Sequence, residues 1–95
     1  MTENMTLHYR NTTDILAQIL QSAAEGEGVT KTYLMYKAFL SFEQLKKYLP
    51  ILTENGLLDY SNGNEQLYKI TEKGMRFLHT YGEIAKYVSI VPEEM

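Results

Sequence analysis

The chain has 95 residues and a formal net charge of −3, with 44% hydrophobic and 22% charged side chains, so we expect one globular domain and not a disordered chain. It contains no cysteine, which excludes disulfides, iron–sulfur clusters and thiol catalysis. No apolar run approaches the roughly 18 residues that span a bilayer, and segment 1–10 lacks the apolar stretch of a secretory signal, so we expect a cytoplasmic protein without a membrane partner.

The first predicted element is a helix that is capped within the segment 11–14. Apolar residues recur at helical spacing from Ile15 to Ala23, and Gly26 and Gly28 then end the helix. Residues 1–11 before it are expected to form a flexible N-terminus.

A second and shorter helix is predicted from a cap at Thr30 to Ala38, with Leu34 turned inward. Ser41 then opens a third helix, because Gln44 three residues later completes a capping-box pattern. The two helices are separated by a turn of about three residues.

The third helix is predicted to bury one apolar stripe and to end at Asn55-Gly56. The stripe consists of Leu45, Leu49 and Leu52, with Tyr48 beside it. Pro50 lies inside this stripe and cannot donate a hydrogen bond to the carbonyl of Lys46. We therefore expect a kink or a broken hydrogen-bond ladder at Pro50.

Two short strands, 57–60 and 66–70, are predicted on either side of a polar turn at 61–65 that contains Asn-Gly. Thr71 then caps a fourth helix that runs to about Val88. Two helices joined by a short turn and followed by a hairpin form the winged helix-turn-helix layout. The expected fold is thus α+β and mostly helical, with a winged domain at 12–70, a C-terminal helix at 71–91 and a tail at 92–95.

Positive charge is concentrated in one part of the chain. Residues 28–49 contain four lysines against the single acidic residue Glu43, whereas every other stretch is acidic or neutral. A local basic face on an acidic body is compatible with phosphate contact. The alternative is that these lysines only solvate a helix face.

The segment Thr30–Leu45, above all Met35-Tyr36-Lys37-Ala38 followed by Leu40-Ser41, resembles the archaeal small winged-helix DNA-binding proteins, the roughly ten-kilodalton family first known as chromatin-associated proteins of Sulfolobus. The likeness covers about residues 12–80. It implies a double-stranded DNA-binding module that dimerises through its last helix. The acidic composition favours a sequence-specific transcriptional regulator in the cytoplasm, associated with the nucleoid, over an abundant packaging protein.

A helix fits the DNA major groove, where base edges present distinguishable donors and acceptors. The third helix is therefore predicted to contact DNA through its outward-facing Gln44, Lys46 and Lys47, through Ser41 at its leading end and through the flanking Tyr48. Gln44 suits adenine and Lys47 suits guanine, whereas Lys46 and the Tyr48 hydroxyl suit phosphate. The alternative for Gln44 is that it only completes the capping box.

Three residues of the second helix are predicted to contact phosphate. Lys31 and Thr32 lie at the helix N-terminus, where free backbone amides and the helix dipole favour an anion, and Lys37 lies at its other end. The wing tip at 62–64 carries no lysine or arginine, so we expect it to contribute little.

The fourth helix has apolar residues at heptad-like spacing, with a second stripe of smaller residues beside them. The predicted homodimer interface consists of Phe77, Tyr81, Ile84, Ala85 and Val88. The alternative is that both stripes merge into one face on the protein's own core.

No catalytic site, metal site or cofactor is predicted. His8 and His79 lack ligand spacing, and the chain has no glycine-rich phosphate loop and no nucleophile motif. The alternative function is that of a winged helix which contacts another protein and does not bind DNA, because a fold does not determine a function.

Overall fold

The structure, a computed structural model, describes residues 11–88. It contains helices α1 (Thr12–Ala23), α2 (Lys31–Lys37) and α3 (Phe42–Glu54), strands β1 (Leu58–Asn62) and β2 (Gln66–Ile70), and helix α4 (Glu72–Val88). This is the predicted order of elements. The expectations for segment 1–10 and for segment 89–95 lie outside the described residues. Among the helices of residues 11–88, none combines the length and the apolarity that crossing a bilayer requires.

The helices begin at the capping residues that the sequence predicts. Asn11 and Asp14 cap α1 reciprocally, since Asn11 Oδ1 accepts from the Asp14 N–H at 2.8 Å and Asp14 Oδ2 accepts from the Asn11 N–H at 3.4 Å. Thr30 caps α2, and Thr71 Oγ1 accepts from the Gly74 N–H of α4 at 2.9 Å. These side chains satisfy backbone donors in the first helical turn that have no partner within the helix.

The core lies where α1, α2 and α3 meet the hairpin. Its fully buried large side chains are Ile19, Leu20, Leu34, Leu45, Leu52 and Leu58. Burying one such aliphatic side chain stabilises the fold by about 1.5–3 kcal/mol. The predicted stripe of α3 is confirmed, because Leu45, Leu49 and Leu52 are all buried.

Helix α3 continues through Pro50. The proline nitrogen cannot donate a hydrogen bond, yet the helix extends four residues further to Glu54. Pro50 itself is exposed, whereas Leu49 and Leu52 on either side of it are buried. Packing of this apolar face holds the helix together across the missing bond, because tertiary contacts supply most helical stability in proteins.

The predicted bounds of the first strand and of the turn are wrong. β1 begins at Leu58, not at residue 57, and continues to Asn62, so that only residues 63–65 connect the two strands. The antiparallel register pairs Leu58 with Ile70 and Asn62 with Gln66. This pairing extends β1 into a segment whose own composition favours a turn.

A third extended segment joins the sheet at Val29, which the sequence did not predict. The Val29 N–H donates to the Tyr68 carbonyl at 2.9 Å, and the Tyr68 N–H donates to the Val29 carbonyl at 2.7 Å. The loop between α1 and α2 is thereby fixed to β2. Because β2 is bonded on both sides, β1 forms the outer strand of the wing.

Helix α4 packs closely against the base of the wing at Gly74. A methyl group on the Gly74 Cα would overlap the Leu57 carbonyl oxygen and would lie 2.7 Å from Ile70 Cγ1. Only glycine fits this approach without displacing the backbone. By contrast, Gly82 on the same helix has no atom within 4 Å of such a methyl group in residues 11–88.

Further along, α4 crosses α1. Phe77 and Leu78 pack against the core, and the Tyr81 hydroxyl donates to the Asp14 carboxylate in the first turn of α1. This hydrogen bond, assisted by burial, raises the pKa of Tyr81 to about 12. The hydrogen bond links α4 to the first turn of α1.

Candidate nucleic-acid interface

The turn between α2 and α3 sets the angle at which α3 leaves the domain. The Leu40 N–H donates to the Met35 carbonyl at 3.0 Å, and the Phe39 N–H donates to the Tyr36 carbonyl at 3.4 Å. These two bonds form a Schellman motif, in which the first residue past the cap adopts a left-handed conformation. Phe39 occupies that position with φ of 55°.

The first residue of α3 brings two predicted lysines together. Phe42 is 47% exposed, and its ring centroid lies 5.2 Å from the Lys31 Nζ and 5.9 Å from the Lys46 Nζ. Both distances are within the range of cation–π attraction, which stabilises exposed pairs by about 0.5–1 kcal/mol. The structure therefore places the start of α2 and the first turns of α3 on one basic surface.

The outward face of α3 is exposed as the sequence predicts. Glu43, Gln44, Lys46 and Lys47 are solvent-accessible, and the leucine stripe is turned into the core. The Lys47 Nζ lies 5.4 Å from the ring centroid of its neighbour Tyr48. Two lysines thus stand next to each other in the second turn of the helix.

Ser41 and Gln44 form the capping box that the sequence analysis gave as the alternative to base contact. Gln44 Oε1 accepts from the Ser41 N–H at 2.9 Å, and Ser41 Oγ accepts from the Gln44 N–H at 3.1 Å. Both residues are exposed at the start of α3. Pairing of Gln44 with adenine through both amide atoms requires the first of these bonds to break.

Tyr48 lies in the core and is 9% exposed. The sequence analysis placed it beside the leucine stripe and assigned its hydroxyl to phosphate. Position 48 follows Leu45 by three residues and precedes Leu52 by four, so it shares their inward face. This burial is the opposite of what a phosphate contact requires.

Lys37 is turned toward the end of α1 and away from α3. Its Nζ lies 3.6 Å from Glu25 Oε1 and 5.9 Å from the ring centroid of Tyr33. The Tyr33 hydroxyl also donates to Glu25 Oε1 at 2.5 Å. This hydrogen bond lowers the pKa of Glu25 and raises the pKa of Tyr33, and Lys37 adds to the effect on Glu25.

Thr32 on α2 and Tyr60 in the wing are both exposed. Thr32 is exposed on the first turn of α2, next to Lys31, which is half-buried. In the wing, the ring of Tyr60 packs on that of Tyr68 with centroids 4.9 Å apart, and Tyr60 is 44% exposed. Burial raises the pKa of Tyr68.

The residues of α4 that were predicted to form the dimer interface differ in their exposure to solvent. Phe77, Tyr81 and Ala85 are half-buried, whereas Ile84 is 58% exposed. Ile84 follows Phe77 by seven residues and therefore projects in nearly the same direction. The difference arises because α4 passes the first turn of α1 at Tyr81. The side chain of Val88 lies outside the described residues.

Sequence analysis missed the exposed aromatic residues around the turn. Tyr36 is 78% exposed and Phe39 is 80% exposed, and with Lys37 they line a cleft of about 370 Å³. The one local clue is that a phenylalanine stands where a helix usually ends in glycine. In residues 11–88 the structure brings together no group of three or more His, Asp or Glu side chains that could hold a metal ion.

Comparison with known proteins identifies related chains along most of this length. The family model described as winged helix-turn-helix matches residues 9–89. Uncharacterized protein MJ0287 of Methanocaldococcus jannaschii is 28% identical over 83 residues, which are 87% of this chain and 81% of that protein.

Solved structures of other winged-helix proteins are also similar to this chain. Sso10a-2, a DNA-binding protein from Sulfolobus solfataricus, is similar with a TM-score of 0.77 and 30% identity, over 84% of this chain and 83% of its own. A MarR-family transcriptional regulator from Rhodococcus sp. RHA1 gives 0.64 and 22%, over 83% of this chain and 62% of its own. At the lower identity, the MarR-family protein shares the fold alone.

Proposed function

The chain belongs to the winged helix-turn-helix family, and from that membership we propose that it binds double-stranded DNA and regulates transcription. In this proposal α3 enters the major groove. The observation that carries it is the exposed lysine pair, Lys46 and Lys47, on the face of α3 opposite the buried leucine stripe. The 30% identity to Sso10a-2, a DNA-binding protein, supports the same ligand.

Charge supports this orientation. The chain as a whole is acidic, with a net charge of −3, so the protein body repels a polyanion. The basic surface formed by Lys31 and Lys46 beside Phe42 attracts it locally. A duplex is therefore steered toward α2 and α3 and not toward the rest of the domain.

The proposed contacts follow from the exposure of each side chain. Lys46 and Lys47 meet base edges and phosphates along α3, and Lys31 and Thr32 meet phosphates at the start of α2. Gln44 and Ser41 contribute to base contact if the bonds of the capping box are exchanged for bonds to DNA. We assign no DNA contact to Lys37 or to Tyr48, because Lys37 pairs with Glu25 and Tyr48 is buried.

Duplex binding should depend steeply on salt. We expect the affinity for random double-stranded DNA, measured by fluorescence anisotropy, to fall at least about tenfold between roughly 50 and 200 mM salt, because lysine–phosphate contacts release counterions. Selection from a randomised duplex pool would then identify a preferred site. If neither method detects binding at about 50 mM salt, the proposal is rejected and the protein-binding winged helix becomes the better explanation.

We also propose that two copies associate through the exposed half of α4. The apolar stripe that covers α1 at Phe77 and Tyr81 continues to Ile84, which is 58% exposed among the described residues 11–88. A second copy of α4 would bury this continuation. A two-fold dimer would also present two α3 helices to one duplex, as helix-turn-helix dimers do.

Replacing Ile84 by glutamate should convert the dimer to a monomer, because the new charge cannot be buried without a partner. Sedimentation velocity at high micromolar concentration would measure the change, and Ile84→Leu, which keeps the apolar surface, should remain dimeric. A wild-type protein that is already monomeric under these conditions would contradict the dimer.

A further inference from the structure

Phe42 is the first residue of α3 and directly follows the cap residue Ser41. Its side chain is 47% exposed. Among residues 11–88, neither the buried core nor the partly buried hydrophobic side chains packed against it include Phe42. The ring therefore lies at the surface, at the leading end of the helix that we propose to enter the major groove.

Two lysines place this ring on the proposed DNA-binding surface. The Nζ atom of Lys31, at the start of α2, lies 5.2 Å from the ring centroid, and the Nζ atom of Lys46 lies 5.9 Å from it. Lys46 follows Phe42 by four residues, so both side chains project from the same side of α3. Because both ammonium groups lie beside the ring, a duplex whose phosphates contact these lysines also meets Phe42.

The chemistry of a phenyl ring limits what it can recognise in the major groove. Side chains near the start of a recognition helix contact base edges. A phenyl ring has no hydrogen-bond donor or acceptor, and the apolar group that base edges present in this groove is the C5 methyl group of thymine. Gln44 must give up the bond from the Ser41 N–H to its Oε1 before both of its amide atoms can pair with adenine. Phe42 contacts a base without giving up a hydrogen bond of the protein.

We propose that Phe42 is a specificity-determining residue whose ring contacts the C5 methyl group of a thymine in the major groove. This contact rests on the proposed function, because it requires α3 to enter that groove, and it adds a base preference to it. Lys31 and Lys46 hold the ring against the duplex through the phosphates that they contact. Burying one methyl group in such a contact corresponds to about a fourfold preference for thymine.

The test compares two duplexes that differ only in this methyl group. Fluorescence anisotropy at about 50 mM salt would measure the affinity for a labelled duplex of alternating adenine and thymine, and for the same duplex with uracil in place of thymine. Wild type should bind the thymine duplex about fourfold more tightly, whereas Phe42→Ala should bind the two duplexes with nearly equal affinity. The urea unfolding midpoint of Phe42→Ala should stay close to that of wild type, since the ring lies outside the core.

The ratio of the two affinities distinguishes a methyl contact from a merely structural role of the ring. Any effect of Phe42→Ala on the placement of the lysines changes both affinities alike and cancels in the ratio. Equal affinities in wild type would overturn the contact, and so would a thymine preference that Phe42→Ala retains, because that preference would come from the shape of the duplex. Tyr87→Ala is the matched control, since it removes a tyrosine that is 83% exposed on α4, and it should keep the wild-type ratio.

A duplex of random sequence, measured in the same buffer, separates this contact from the proposed function. If wild type binds the random duplex but does not bind the alternating thymine duplex, the thymine contact alone is rejected. If wild type binds no duplex at all, the proposed function is rejected and the contact with it.

Discussion

Duplex affinity at about 50 mM salt should fall by a factor on the order of 100 when Lys46 and Lys47 are both replaced by alanine. Both side chains are exposed on the outward face of α3, and the buried leucine stripe on the opposite face is left untouched. The fold should therefore survive the change. The slope of the logarithm of affinity against the logarithm of salt concentration should also become shallower by about two, one unit for each lost phosphate contact.

The matched control removes the same charge elsewhere. Arg76 and Lys86 lie on α4, are exposed, and pair with Glu72 and Glu83 in surface ion pairs that contribute little to stability. Replacing both by alanine should change duplex affinity only slightly. If this control loses as much affinity as the lysine pair, then net charge and not α3 governs binding. If the lysine pair has no effect, α3 is not the binding surface.

Replacing Gly74 by alanine should lower the free energy of unfolding by about 2–4 kcal/mol, a large fraction of the stability of a small domain. The added methyl group would overlap the Leu57 carbonyl oxygen and crowd the Ile70 side chain. The Leu57 backbone cannot move easily, because its N–H donates to the Leu52 carbonyl and its carbonyl accepts from the Thr71 N–H. Helix α4 would have to lift away from the base of the wing.

Gly82→Ala is the matched substitution on the same helix. A methyl group there meets no atom within 4 Å in the described part of the chain, and alanine favours a helix interior over glycine. It should raise the free energy of unfolding by about 0.5–1 kcal/mol. Urea unfolding followed by circular dichroism measures both variants. Equal effects at the two glycines would show that α4 does not dock closely at Gly74.

Much of the fold was predictable from short stretches of sequence. The caps at Asn11, Thr30, Ser41 and Thr71 are confirmed because each side chain bonds a backbone group within three residues. The α+β winged helix-turn-helix fold and the resemblance to archaeal small winged-helix proteins are confirmed by the family match and by the likeness to Sso10a-2. Such local and periodic patterns do not depend on distant parts of the chain.

The candidate site was less predictable. Lysines at 46 and 47 were correctly expected on the outward face, since the leucine spacing defines the opposite face. Tyr48 was misplaced, because a flanking position on a helix becomes buried or exposed according to what packs against it. The pairing of Lys37 with Glu25 joins α2 to the turn that follows α1, and spacing along one helix does not reveal it.

The sequence by itself determined where the helices begin, which face of α3 is buried and where positive charge is concentrated, because these properties follow from bonds and periodicities within a few residues. Only the tertiary structure decided the register that extends β1 to Asn62, the bridge from Val29 to β2 and the close approach at Gly74. It also decided that Phe42 lies between Lys31 and Lys46 and that Tyr36 and Phe39 are 78% and 80% exposed. These features depend on contacts between elements, whose free energies outweigh local propensity once the core has formed.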